Sequence, residues 1–115
     1  MENQKVSSIY MILCKTTGKC YIGSTELEIQ QRFGLHKTHY KRWLNSKAHY
    51  ISSVECFKNN NASVMLLEIV DLTVSCVKSR EKFYIQSFPN SVNKNIPFDS
   101  NDSYSKYYYN KKNNL

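Results

Sequence analysis

Two β-prone apolar runs stand five residues apart near the start of the chain, and that spacing limits the fold more than any other feature. Ser8 to Cys14 reads SIYMILC and Cys20 to Gly23 reads CYIG. The spacer KTTGK carries Gly18, which can take the left-handed conformation a tight turn needs. So short a link joins antiparallel strands and leaves no room for a parallel crossover. The chain therefore opens with a β-hairpin.

After the hairpin the period changes. From Glu26 to about Leu44, residues Ile29, Phe33, His36, Tyr40, Trp43 and Leu44 fall on one helical face. A break at Asn45-Ser46 precedes a second predicted helix, from Ser46 as N-cap to about Phe57, with Tyr50, Ile51, Val54 and Phe57 inward. KNNNA ends it. Ser63 to Val70 (SVMLLEIV) is continuously apolar and reads as a strand covered on both faces. A last helix runs from about Val74 to Phe88, with Val77, Tyr84, Ile85 and Phe88 on one face, and Pro89-Asn90 ends it. The order β-β-α-α-β-α predicts an α/β (α+β) sandwich, in which helices flank a small, mainly antiparallel three-stranded sheet. Residues 1–97 form one domain; residues 98–115, with YSKYYYNKK, form a polar tail without apolar periodicity.

At 115 residues and 41% hydrophobic, the chain can build one unstapled core. Its apolar runs are far shorter than the ~20 residues a membrane span needs, so no membrane partner is expected. The N-terminus has no apolar signal segment, and Cys14, Cys20, Cys56 and Cys76 form no C-x-x-C pair. They read as reduced thiols of an intracellular protein, in the cytoplasm or nucleus of a host cell. Sixteen Lys and Arg against nine Asp and Glu give a net charge of +7, which favours a polyanionic partner. Between Glu28 and Lys58, six basic residues (Arg32, Lys37, Lys41, Arg42, Lys47 and Lys58) face two acids. Such a local excess is an electrostatic footprint for phosphates, although for any single lysine a solvated helix face is the simpler reading.

Glu81 breaks the pattern. It lies within the apolar stripe of the last helix, and burying an unpaired carboxylate is costly. It could sit at a solvated edge, pair with Arg32 or Arg80, or hold a hard cation. From the stripe alone, the two structural readings come before the metal. On the first helix, Arg32, His36 and Tyr40 stand at i, i+4 and i+8 and project together, with His39 alongside. An arginine can grip phosphate and a histidine can move protons, but polar helix edges of this kind are common. Tyr10 and Tyr21 on the hairpin strands read as packing.

Taken in order, these residues resemble the GIY-YIG nuclease superfamily. Ile9-Tyr10 and Tyr21-Ile22-Gly23 resemble its two-part signature, with Ser8 where the pattern has its first glycine. Arg32 in QRF and His36 resemble the helix arginine and its partner; Glu81 in SREKFYI resembles the metal-binding glutamate; VNK resembles the asparagine-bearing closing segment. The resemblance spans residues 8–97. YKRWLN and VNKNIP are similar to small stand-alone members found in large DNA viruses and phages. The family implies an endonuclease that hydrolyses DNA phosphodiester bonds with one Mg²⁺ or Mn²⁺. Glu81 would hold the metal, Arg32 would stabilise the transition state, and Tyr10 or Tyr21 with His36 would activate water. Asn93 would order the site, with Asn95 as its rival. Gly23, Lys37, His39, Tyr40, Lys41, Arg42, Lys47 and His49 would face DNA, with His49 and His39 both matching a second family histidine.

Two other readings stand beside this one: a module that kept the fold and binds nucleic acid without cutting it, and a small interaction protein. One metal site cuts one strand, so a monomer or weak homodimer is expected, the dimer serving double-strand breaks.

Overall fold

The computed structural model describes residues 5–94. Asn95 and the tail from Phe98 lie outside them. Strand β1 (Val6–Cys14) turns through Gly18, at φ +77, into β2 (Cys20–Thr25). Helix α1 (Ile29–Leu44) and the single turn α2 (Val54–Phe57) follow. Strand β3 (Ala62–Asp71) and helix α3 (Val77–Ser87) complete the order. The sheet runs β2-β1-β3, antiparallel throughout.

Strand β1 is central, and its alternate residues feed two cores. Ile9 and Met11 pack with Ile22, Val70 and Ile85 on the α3 side. Tyr10, Ile12 and Cys14 pack with Phe33, Cys56 and Phe57 on the α1 side. The strand covered on both faces is therefore β1. The same expectation for SVMLLEIV is overturned: β3 is an edge strand, and Met65, Leu66 and Ile69 are 41%, 47% and 60% exposed. Uninterrupted apolarity marks strands of either kind, and sequence alone does not rank them. A register shift opposite Ile9 and Tyr10 adds a bulge to the β1–β3 pair.

The helix expected from Ser46 is also corrected. Ser46 has φ +59 and caps no helix; its amide bonds back to the carbonyl of Trp43 at the end of α1. Residues 45–53 form a non-helical loop leading to α2. Tertiary bonds hold it there: Tyr50 Oη donates to Glu55 at 2.7 Å, and His39 Nε2 lies 2.9 Å from the His49 carbonyl. Such contacts override a helix propensity worth only tenths of a kcal/mol per residue. Two other helices start later than the sequence suggests. Glu28, whose carboxylate accepts from the amides of Gln30 and Gln31, sets the start of α1. A turn anchored on Asp71 delays α3 to Val77 and leaves Val74 78% exposed. Leu44, read as inward, is 58% exposed.

The four cysteines are free thiols, three buried and Cys76 exposed. No helix among the described residues is long and apolar enough to cross a membrane.

Candidate active site

The hairpin places two phenols side by side. Tyr10 pairs across the ladder with Gly23, and Tyr21 with Ile12, so the two rings sit 6.5 Å apart on the face that α1 covers. Gly23 is glycine for a steric reason. A Cβ there would meet the Tyr10 hydroxyl and lie 2.6 Å from its Cζ and 3.0 Å from Tyr21 Cε2. The Tyr10 ring occupies the space a side chain at 23 would need.

Helix α1 brings Arg32 and His36 over these phenols, one turn apart on the face beside buried Phe33. Tyr10 Oη lies 2.8 Å from His36 Nε2 and accepts from Arg32 Nε at 3.4 Å. His36 Nδ1 lies 2.9 Å from Ser53 Oγ, so both ring nitrogens are engaged. On the opposite wall, α3 offers Glu81, whose Oε2 accepts from the Ser24 hydroxyl at 2.7 Å. The floor continues into Asn93. Its amide oxygen accepts from Ile22 N at 2.9 Å, and its nitrogen donates to Ile22 O at 2.7 Å. The side chain thus completes the outer edge of β2 as a neighbouring strand would, beside the short parallel bridge between Cys20 and Ser91.

Between these walls lies a cleft of about 680 Å³. Tyr21, Arg32, His36, His49, Glu81 and Asn93 line it, and Tyr10 is 1% exposed behind the two α1 side chains that bind it.

The electrostatics of the cleft point one way. Burial, with the charges of Arg32 and His39 adding, lowers the His36 imidazole to about 4, so the ring is neutral at pH 7. Burial pushes Tyr21 up to about 12, with Tyr10 and Glu81 adding and Arg32 opposing. Burial also raises Tyr10, against the Arg32 hydrogen bond. Glu81 is raised by burial despite Ser24 and Lys78. Tyr10, Tyr21 and Glu81 are all held towards their neutral forms, and in each case burial is the main cause. Neither pairing foreseen for Glu81 forms: Arg80 bonds Glu68 at 2.7 Å, and Arg32 bonds Tyr10.

Other candidates lie elsewhere. Lys37, Tyr40 and Lys41 line a separate depression of about 500 Å³ with Phe57 and Lys58. Arg42 donates to the Lys47 carbonyl at the end of α1, at 3.2 Å. Of the two rival histidines, His49 reaches the cleft, while His39 packs edge-on against it at 5.4 Å from outside. Sequence reasoning missed Ser24, Ser53, Lys78 and Lys94. Lys78 was findable, because it stands three residues before Glu81 on one helix and lines the same cleft. The serines carried no signal, since their roles arise only from tertiary approach.

Two solved structures of the I-TevI catalytic domain share this fold, one described as a mutant intron endonuclease and the other as a homing endonuclease. Both are 23% identical to this chain, with TM-scores of 0.59 and 0.57. The matches cover 80% and 77% of this chain and 96% and 98% of theirs. No curated protein matches it. The family model for the GIY-YIG catalytic domain matches residues 6–95, which hold both hairpin strands, all three helices and every side chain lining the cleft. The chain belongs to the GIY-YIG catalytic domain family.

Proposed function

We propose that this protein is a metal-dependent endonuclease that hydrolyses DNA phosphodiester bonds in the cleft between α1 and α3. The observation that carries this reading is the Tyr10–His36 pair at 2.8 Å beside Arg32, in a cleft whose facing wall is a carboxylate. A phenol against a neutral imidazole can lose its proton without exporting it to solvent.

The donor set at Glu81 fits a hard divalent cation. One carboxylate with a serine hydroxyl on it suits Mg²⁺ or Mn²⁺, which keep several waters. No group of three or more His, Cys, Asp or Glu that could hold a metal ion occurs among the described residues, so Glu81 would be the one carboxylate on the ion and water and phosphate oxygens would supply the rest. A bound cation would offset the cost of charging a buried Glu81. When bound, the ion supplies positive charge to the phosphate and the leaving 3′ oxygen.

The chain's own residues supply the rest. Water gives a proton to Tyr10 Oη as the phenol's proton passes to His36 Nε2. The hydroxide oxygen bonds to phosphorus, the bond from phosphorus to the 3′ oxygen breaks, that oxygen takes a proton from solvent, and His36 returns its extra proton to solvent. Arg32 faces the charge that builds on the phosphate oxygens. Tyr21, neutral and lining the cleft, orients the water. Lys78 and Lys94, on the same lining, draw the DNA backbone in.

Supercoiled plasmid incubated with the protein in Mg²⁺ tests the reading. Nicked circles with 5′-phosphate ends, absent when a chelator is added, are the expected result. Plasmid that is bound but stays supercoiled in both Mg²⁺ and Mn²⁺ would make the protein a binding module instead.

A further inference from the structure

Ser53 is the most buried polar side chain among the described residues, at 1% exposure, and it stands where a helix begins. A serine at that position ordinarily turns its hydroxyl to the amides of the helix's first turn. Here it makes no cap bond with α2. Its Oγ lies 2.9 Å from His36 Nδ1, on the ring edge opposite Tyr10.

A neutral imidazole carries one proton, and two arrangements satisfy the ring. Either Nδ1–H donates to Ser53 and Nε2 accepts from Tyr10, or Ser53 donates to Nδ1 and Nε2–H donates to Tyr10. The Arg32 guanidinium can only donate, and its Nε points at Tyr10 Oη. In the second arrangement that oxygen takes two donors, and its own proton has no acceptor among the described residues. In the first, the protons on Arg32 Nε, Tyr10 and His36 all reach acceptors and the one left over belongs to the Ser53 hydroxyl, so acidity decides between the two. A phenol is a far stronger acid than an alcohol, so Tyr10 is the better donor to a ring nitrogen.

We propose that Ser53 is a positioning residue that accepts the His36 Nδ1 proton and so fixes Nε2 as the nitrogen open to the Tyr10 proton. This rests on the nuclease reading for its consequence in catalysis, although the tautomer itself does not. The hydrogen bond on one ring nitrogen decides which role the other plays. Ser53 is not among the residues that line the cleft. It acts through His36, from a turn that the loop after α1 delivers beneath the helix.

The test pairs nitrogen NMR of the histidine-labelled protein with plasmid nicking, for wild type, Ser53→Ala and Ser53→Thr. Wild-type His36 should carry its proton on Nδ1. Ser53→Ala should mix the two tautomers and lower kcat by about 10- to 100-fold, less than the ~10²–10⁴-fold that the positioned acid–base group itself contributes. KM should stay within about twofold, because no DNA contact is removed. Ser53→Thr, which keeps the hydroxyl, should restore the tautomer and most of kcat. A proton on Nε2 in the wild type overturns the proposal, as does an alanine variant with unchanged tautomer and kcat. If Ser53→Ala fails to fold, the wild-type and threonine spectra decide. If the wild type carries the proton on Nδ1 but cuts nothing, the nuclease reading fails and the assignment of the ring stands.

Discussion

Lowering the pH from 7 to 5 should destabilise this protein through one buried ring. His36 is 3% exposed, and burial holds its imidazole at about 4 against an ordinary 6.5. The unfolded chain therefore takes up this proton near pH 6.5, while the folded chain resists it until about pH 4. A lowered folded-state value contributes stability that is complete above 6.5 and is lost as pH falls towards 4. Each unit of difference is worth ~1.4 kcal/mol, so the loss is about 2 kcal/mol between pH 7 and 5 and about 3 kcal/mol once both states are protonated. The ring is too buried for solvent screening to reduce these figures much. Glu55 and Glu68, both held low by their hydrogen bonds, add acid sensitivity mostly below the ordinary carboxylate range, and Glu81, raised by burial, acts in the opposite sense, so comparison with a variant that keeps all three isolates His36. Urea unfolding at pH 7 and 5 provides the assay, with His36→Gln as reference. Wild type should lose about 2 kcal/mol more than the variant, a midpoint shift of roughly 1 M or more. Equal losses would refute the argument, since they would mean that His36 titrates alike in both states.

Three further perturbations separate the roles in the cleft. Gly23→Ala puts a methyl 2.6 Å from Tyr10 Cζ, so it should cost ~1–3 kcal/mol on thermal unfolding and slow nicking by moving the phenol off His36. Asn93→Ala strips both bonds from the Ile22 backbone, and chemical denaturation should record a loss of ~1–3 kcal/mol, with residues 91–94 opening first in hydrogen exchange. Tyr10→Phe should lower kcat at least tenfold more than Tyr21→Phe in single-turnover nicking, because Tyr10 is the phenol bonded to the imidazole; the reverse order would hand the base role to Tyr21.

The sequence carried the site in the form of misfits. Glu81 on an apolar stripe, and Arg32 and His36 beside another, were visible because helical period is regular and a polar group on a buried face stands out. Their assembly was not visible from period alone. It became legible through the order of Tyr10, Tyr21, Arg32, His36 and Glu81, which resembles one family. The errors share a cause. The Ser46 helix and the doubly covered β3 were inferred from local pattern, yet tertiary contacts decided both. His39 and Glu55 bond the loop that would have been helix, and the strand order puts β3 at the edge. Ser24 and Ser53 belong to the same class, since a serine bonded to a residue 57 or 17 positions away leaves no trace in spacing.

The carboxylate on α3 is where the account is most exposed. The direct measurement is single-turnover cleavage of a DNA duplex in Mg²⁺ by wild type and by Glu81→Gln, each shown to be folded and to bind the duplex. Glutamine keeps the size of the side chain and an oxygen for Ser24, and removes only the charge that would hold the ion. The account predicts cleavage by wild type and a loss of at least ~10³-fold in the variant, with binding and stability preserved. A variant that cuts as fast as wild type would contradict it, and would place the metal, or the chemistry, somewhere other than this cleft.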